Sequence, residues 1–171
     1  MQGLLPILQA CRALIGSATP LQDDCGRLCG CACCQSLPGD ETGMLLFPGE
    51  EEFYRSLPGW QVKPCETGLM VICPGACRRD ERPLACMLFP LLPLLREDGI
   101  KVAMDARSRA VCPLARWGVS GLRQDFAASV RACGELLSRD ATQRAFLLRL
   151  TEQHDELKAL QSTFGGRNAH V

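Results

Sequence analysis

The chain has 171 residues, the size of one ordinary domain, and its 19 basic side chains are balanced by 19 acidic ones. Balanced charge provides no basic surface for nucleic acid or an anionic membrane, so we expect neither as a partner. No stretch reaches the roughly 18 consecutive apolar residues of a spanning helix, and the N-terminus lacks the features of a signal peptide. We therefore expect a cytoplasmic protein whose thiols stay reduced.

The N-terminal residues predict a helix. Apolar residues recur at helical spacing from Leu4 to Ile15, with Pro6 in the first turn and Gly16 as the stop. Cys11 lies on this apolar stripe, which favours a buried core residue over a ligand.

A dense cysteine cluster follows a polar connection. Ten of the twelve cysteines lie between residues 25 and 112, and five of them fall within residues 25–34. So short a stretch has little interior in which to bury thiols. In a reducing compartment this pattern favours metal ligands, with redox chemistry as the alternative reading.

The middle of the chain predicts short strands and a short helix. Residues 44–47 and 69–72 are apolar runs, the second ending directly at Cys73. Residues 50–52 are three glutamates, typical of the solvated first turn of a helix. Asp98-Gly99 between the apolar runs 91–95 and 100–104 predicts a hairpin.

The C-terminal part predicts helices. Residues 122–137 follow the 3.6-residue period, which makes Cys133 a core residue. Asp140 with Gln143 resembles a reciprocal helix cap, and a second amphipathic helix with Leu157 and Leu160 on its apolar face follows. The tail from Gly165 onward is predicted to fray.

These elements predict an α+β fold. We expect a small, irregular, metal-stapled cysteine-rich core with short strands and a hairpin, packed by N-terminal and C-terminal helices. The chain shows no repeat or linker, so residues 1–171 are predicted to form a single cysteine-rich metal-binding domain. Its cluster region is 25–112 and its helical part is 114–162.

The spacing of the cysteines indicates which thiols can chelate together. Two sulfurs ~2.3 Å from one tetrahedral ion lie about 3.7–4 Å apart. The i, i+4 pairs Cys25–Cys29 and Cys73–Cys77 meet this on one side of a helical turn. Neighbouring side chains usually point apart, so adjacent cysteines at 33 and 34 are predicted to serve two metals, or one of them is structural.

Charge adds a second indication. Four thiolates around a divalent ion leave a net charge of −2, which requires nearby donors or cations. Arginines flank the cysteines on both sides, and Arg82 is the one predicted to neutralise the thiolates. The others are Arg78, Arg79, Arg107, Arg109 and Arg116.

Other chemistries find little support in the sequence. His154 and His170 are the two histidines, and neither lies in a local catalytic arrangement; His154 is predicted to be a surface or packing residue. No phosphate-binding glycine loop is present, and the cysteine spacing does not match ferredoxin templates.

Two cysteine motifs are similar to a known family. Cys25-x3-Cys29 leading to Cys33-Cys34 resembles the CxxxCxxCC signature of YkgJ-type zinc- or iron-chelating proteins. The run from Cys77 through Arg82-Pro83 to Cys86 and Phe89-Pro90 resembles that family's second signature. The chain departs from the family where Cys31 is inserted and where Met87 replaces the usual arginine.

The resemblance implies metal binding and leaves the activity open. Flagellin lysine N-methylases carry a similar signature, but this chain has no recognisable cofactor motif for methyl transfer. The predicted ligands are Cys25, Cys29, Cys33, Cys34, Cys73, Cys77, Cys86 and Cys112, with Cys31 and Cys65 as second-rank candidates.

We expect one or two cysteine-ligated zinc ions in a structural or chelating role. The alternatives are an iron–sulfur-cluster oxidoreductase or methylase-like enzyme, in which iron or an iron–sulfur cluster replaces zinc, and a protein-interaction module shaped by zinc. The sequence names no protein partner.

Overall fold

A computed structural model describes residues 5–35, 43–75 and 77–165. The architecture is α+β, as predicted: helices surround two small antiparallel sheets. The predicted start of the N-terminal helix at Leu4, His170 and the predicted frayed tail after Gly165 lie outside the described residues.

Helices occupy both ends of the chain and separate the strands between them. Short 3-10 helices cover Ala32–Cys34, Arg79–Glu81, Pro113–Trp117 and Val119–Gly121. The α-helices are α1 (Pro6–Ile15), α2 (Cys25–Cys29), α3 (Glu51–Arg55), α4 (Leu84–Leu88), α5 (Ser108–Val111), α6 (Gln124–Leu137) and α7 (Ala141–Gly165).

The five strands form two sheets. They are β1 (Met44–Leu45), β2 (Gln61–Cys65), β3 (Gly68–Ile72), β4 (Leu91–Arg96) and β5 (Gly99–Met104). The first sheet has the order β1-β3-β2, and the predicted hairpin forms the second, with Arg96 opposite Gly99. The sequence did not predict β2, because Pro64 within it disfavours a strand. Pro64 is tolerated because β2 is an edge strand.

The main core lies between the hairpin and the long helices. Leu8, Cys11 and Ile15 of α1 are buried, which confirms the N-terminal apolar stripe. Helix α6 buries the predicted face that includes Cys133. It also approaches the hairpin closely at Gly134, where a Cβ would lie 2.6 Å from the Cβ of Pro93.

Two predictions for α7 are corrected by its packing. The carboxylate of Asp140 accepts the N–H of Gln143, as predicted, but the Gln143 side chain donates to the Pro48 carbonyl instead of closing a reciprocal cap. Leu157 and Leu160 are 36 % and 54 % exposed, so the predicted apolar face ends before them. The helix is simply longer than the core that it covers, which extends to Leu150.

Among the described helices, none combines the length and the apolar character needed to cross a lipid bilayer.

Candidate metal centre

A cavity of about 370 Å³ opens among α2, the end of β3, α4 and the chain that follows α5. Nine of the twelve cysteines line it, and they come from four separate parts of the sequence. One of the nine is Cys31. The other eight are the cysteines predicted as ligands: Cys25, Cys29, Cys33, Cys34, Cys73, Cys77, Cys86 and Cys112.

Helix α2 carries the first pair of thiols. Cys25 and Cys29 are its first and last residues, so the predicted helical turn is confirmed here. The carboxylate of Asp24 accepts the N–H of Gly26 at 3.1 Å and caps the helix. Gly30, at φ +61°, ends the helix in the left-handed conformation that glycine adopts easily. The cap at Asp24 and the turn at Gly30 thus set the two ends of this short helix, whose first and last residues line the cavity.

The adjacent cysteines lie closer together than the sequence predicted. The sulfurs of Cys33 and Cys34 are 3.9 Å apart within the 3-10 turn. The premise that adjacent side chains point apart is wrong here, because this turn brings both sulfurs to the cavity wall. Their separation falls in the range of about 3.7–4 Å for two ligands of one tetrahedral ion.

These two thiols are hydrogen-bonded, and the bond shifts their pKa values in opposite directions. A hydrogen bond from Cys33 lowers the pKa of Cys34 to about 6, and the guanidinium of Arg82 acts in the same direction. The same hydrogen bond, together with burial, raises the pKa of Cys33. Cys34 is therefore available as a thiolate near neutral pH without a strong external base.

The second predicted pair has a different backbone. Cys73 follows β3 directly, and Gly75 has a φ of +86°, which a right-handed helix does not contain. The predicted helical turn is thus wrong at Cys73. Its thiol and that of Cys77 instead reach the cavity from an irregular loop.

The hairpin β4–β5 connects the last two predicted ligands, Cys86 and Cys112. Cys86 lies on α4, just before β4, and Cys112 comes directly after α5, beyond β5. The N–H of Cys112 donates to the Ser108 carbonyl at 2.7 Å, which closes the short helix below the cavity. The hairpin therefore carries the chain from Cys86 back to Cys112, as predicted.

Three thiols form the first thiol group: Cys25, Cys29 and Cys112. Burial raises the pKa of Cys25 to about 11, with further contributions from the charges of Cys29 and Cys112. Burial also raises the pKa of Cys112, and the charge of Cys29 adds to it. Such effects indicate sulfurs close enough for their charges to repel one another.

Four thiols form the second thiol group: Cys34, Cys73, Cys77 and Cys86. Burial raises the pKa of Cys86 well above its ordinary value, and the charges of the other three members raise it further. Burial likewise raises the pKa of Cys77, to which Cys73 and Cys34 contribute. Cys33 is influenced by both Cys25 and Cys86, so it lies between the two groups.

Arg82 lies beside both thiol groups. Its half-buried guanidinium hydrogen-bonds to the thiol of Cys77 and lowers the pKa of that group. Its charge opposes the rise in the pKa of Cys25 and contributes to the lowered pKa of Cys34. A single cation therefore acts on three thiols from two separate parts of the chain.

Two other arginines at the cavity have structural partners. Arg79 donates to the carbonyls of Gly16 and Ala18, which ties the loop after Cys77 to the end of α1. Arg107 forms an ion pair with Asp105 at 2.6 Å. Their guanidinium groups therefore already have partners other than the thiols, although both residues line the cavity.

The thiols share a cavity wall without converging on a point. Within residues 5–35, 43–75 and 77–165, no three His, Cys, Asp or Glu side chains are arranged closely enough to hold a metal ion. The donor chemistry suits zinc or iron, but side chains and loops must move toward one another before three or four sulfurs can reach one ion.

The remaining cysteines lie elsewhere. Cys65 ends β2 and does not line the cavity. Cys11 and Cys133 are buried in the core, as predicted, where each thiol donates to the other residue's carbonyl at 3.7 and 3.3 Å.

A buried arginine and a buried tyrosine, which no sequence pattern indicated, hold the loop that carries Arg82. Arg12 of α1 is 5 % exposed, and its guanidinium donates to the carbonyls of Asp80 and Arg82 at 2.6 and 2.5 Å. The hydroxyl of Tyr54 donates to the Glu81 carbonyl at 2.9 Å. Three successive carbonyls of one loop are thus held by side chains from α1 and α3.

Glu50 is the third buried side chain, and its prediction as part of a solvated acidic run is wrong. It is fully buried, and its two carboxylate oxygens accept the N–H groups of Leu84 and Phe47, each at 2.9 Å. One oxygen lies 3.7 Å from the guanidinium of Arg12. Three consecutive glutamates give no signal for which one turns inward, because its partners are distant in sequence.

Comparison with protein-family models, with curated proteins and with solved structures gave no match. The resemblance to the chelating family therefore stays a prediction from the two cysteine motifs.

Proposed function

We propose that this protein binds one or two metal ions, zinc in the first place, through cysteine thiolates at the cavity, in a structural or chelating role. The observation that carries the proposal is the position of the cysteines. Eight thiols predicted as ligands come from four parts of the chain and line one cavity with Arg82, while Cys65 lies away from it. Packing alone does not require thiols to collect in this way.

The thiol groups support two sites. The second thiol group has four cysteines, the number that a tetrahedral zinc site needs, and the first would reach four if Cys33 joined it, once their side chains move together. Cys33 and Cys34, whose sulfurs lie 3.9 Å apart, would then stand where the two sites meet, as ligands of neighbouring ions or together on one. Metal binding would staple the loops around the cavity, which is the metal-stapled core expected from the sequence.

Reduced thiols require a reducing compartment, so we propose a cytoplasmic location together with this function. The two family-like motifs agree with it, since they contain Cys25 and Cys29 in one and Cys77, Arg82 and Cys86 in the other. The biological activity that such a site serves is left open by the site chemistry.

The first experiment is elemental analysis with an absorption spectrum, on protein purified without oxygen and without a metal-affinity tag. About one or two equivalents of zinc in a colourless sample would support the proposal. Iron with matching sulfide and a brown colour would favour the iron–sulfur enzyme instead. A sample that contains no metal and takes none up in a zinc titration would refute metal binding.

A pair of matched variants tests the location of the site. Cys77→Ser removes a thiol of the second group, whereas Cys65→Ser removes a half-buried thiol outside the cavity. We expect zinc stoichiometry to fall in the first variant and to stay unchanged in the second. Equal stoichiometry in both would place the metal elsewhere.

A further inference from the structure

We infer that the buried cradle, defined as Arg12, Glu50 and Tyr54, positions the thiols of the proposed metal site. It does so by fixing the backbone of segment 80–84, which joins Cys77 to Cys86 and carries Arg82. The inference rests on the metal-binding function proposed above.

The hydrogen bonds of the buried cradle concentrate on this one segment. Its side chains hold the carbonyls of residues 80, 81 and 82 and the N–H of residue 84. Buried charges are costly, and a buried ion pair can often be replaced by apolar residues without loss of stability. Arg12 and Glu50 make all but one of their hydrogen bonds to this one loop. We therefore attribute the pair's role to the conformation that it gives the loop.

The segment has little regular structure of its own to fix that geometry. It contains the end of the 3-10 turn Arg79–Glu81 and then Pro83, which has no N–H to donate. Buried backbone groups need partners, and here the cradle supplies them from α1 and α3.

Glu50 also sets the start of the helix that carries Cys86. Helix α4 begins at Leu84 and has no side-chain cap from its preceding residue, Pro83. The carboxylate of Glu50 takes the place of that cap by accepting the N–H of Leu84. The position of Cys86 along the cavity wall therefore depends on Glu50.

The buried cradle and the cavity lie on opposite sides of the segment. Arg82 and Pro83 line the cavity, whereas the three cradle residues are absent from its described wall. The cradle residues therefore do not coordinate an ion at the thiols; since the charge of Glu50 also acts on the Cys86 thiol, the uncharged change Tyr54→Phe is the one that alters position alone.

The test uses the full chain with Glu50→Gln and Tyr54→Phe. Glutamine has one oxygen, so its amide nitrogen would face the N–H of Phe47 or of Leu84 and break one hydrogen bond. Tyr54→Phe removes only the bond to the Glu81 carbonyl. If Glu50→Gln does not fold, Tyr54→Phe carries the test.

Thr151→Val is the matched control. The Thr151 hydroxyl is buried, accepts the N–H of Leu95 and donates to the Leu147 carbonyl, and it lies away from the cavity. Its loss should lower global stability without moving segment 80–84.

Two readouts separate positioning from stability. In the metal-free protein, amide exchange across residues 77–88 should become faster in Glu50→Gln and remain as in the wild type in Thr151→Val. In a chelator competition, zinc affinity should fall about 10–100-fold in Glu50→Gln, less in Tyr54→Phe, and not in the control. The absorption spectrum of the cobalt-substituted protein should change most in Glu50→Gln, less in Tyr54→Phe, and not at all in Thr151→Val.

The failures are distinguishable. If the wild type binds no zinc, metal binding fails and the positioning inference fails with it. If the wild type binds zinc and both cradle variants match its affinity and cobalt spectrum, only the positioning inference is overturned. An equal loss of affinity in Thr151→Val would also overturn it, because the effect would then be one of general stability.

Discussion

Arg82 is a cation that lies beside both thiol groups and acts on thiols of each. Its guanidinium hydrogen-bonds to Cys77, opposes the burial that raises the pKa of Cys25, and helps the hydrogen bond from Cys33 to lower the pKa of Cys34. Arg82→Ala should therefore weaken zinc retention by about 10-fold or more, because the negative charge of the thiolates would lose its nearby compensation. A competition titration with a chelator measures this.

The control for this change is Arg109→Ala. Arg109 is exposed on α5, close to Cys112 in sequence but outside the cavity wall. It should retain zinc as the wild type does. Unchanged affinity in Arg82→Ala would show that Arg82 has no part in holding the metal.

His154 links α7 to the turn before α5. Its Nδ1 accepts the N–H of Ala106 at 3.3 Å, and burial lowers the pKa of the imidazole below its ordinary value of 6.5. The charges of Lys158 and Arg96 lower this pKa further, against Asp105 and Asp155, which raise it.

The lowered pKa gives a pH dependence of stability. The folded protein disfavours protonation of His154, so its contribution is complete above pH 6.5 and is lost as the pH falls toward the lowered pKa. His154→Asn keeps an acceptor near Ala106 without titrating. Thermal unfolding from pH 7 down to about pH 5 should therefore fall less steeply in the variant. Parallel curves for the two proteins would contradict this.

At the scale of elements, α1 and α6 pack through two thiols rather than bind metal with them. Cys133→Ala removes a fully buried sulfur and should lower the free energy of unfolding by about 1 kcal/mol. Zinc stoichiometry should not change, because Cys133 lies outside the cavity. Denaturant unfolding and elemental analysis check the two parts, and the loss of one equivalent of zinc would make Cys133 a ligand.

Elements with a local signal were predicted well from the sequence. The Asp98-Gly99 turn between apolar runs predicted β4 and β5, and the 3.6-residue period predicted α1 and α6 with their buried faces. The pair on α2 was predicted because both thiols lie within one helical turn.

Features that depend on distant partners could not be predicted. Glu50 is buried by contacts with Arg12 and Leu84, which lie tens of residues away. The exposed end of α7 depends on where the core ends, and the spacing of apolar residues along the helix does not show how far the core extends. The short distance between the sulfurs of Cys33 and Cys34 depends on a tight 3-10 turn, which the neighbouring residues in the sequence do not predict.

The whole molecule consists of an apolar core and, beside it, a cavity lined by thiols. The core contains α1, the buried face of α4, α6, the first half of α7 and the hairpin, and it has aromatic and aliphatic side chains at high burial. The cavity is built from short helices and loops whose thiols do not converge. Core elements reach into these loops through Arg12 of α1 and through His154 and Gln161 of α7.

Removal of metal should therefore release the loops and leave the core folded. In small zinc-stapled domains folding depends on the metal outright, because they have no other core. Here the core spans both ends of the chain, so chelation should lower amide protection in residues 25–34, 73–79 and 108–117. Protection in β4, β5, α6 and the first half of α7 should persist, with most of the helical circular dichroism. Hydrogen exchange with and without a chelator measures this, and cooperative unfolding of the whole chain on chelation would show that the core itself depends on the metal.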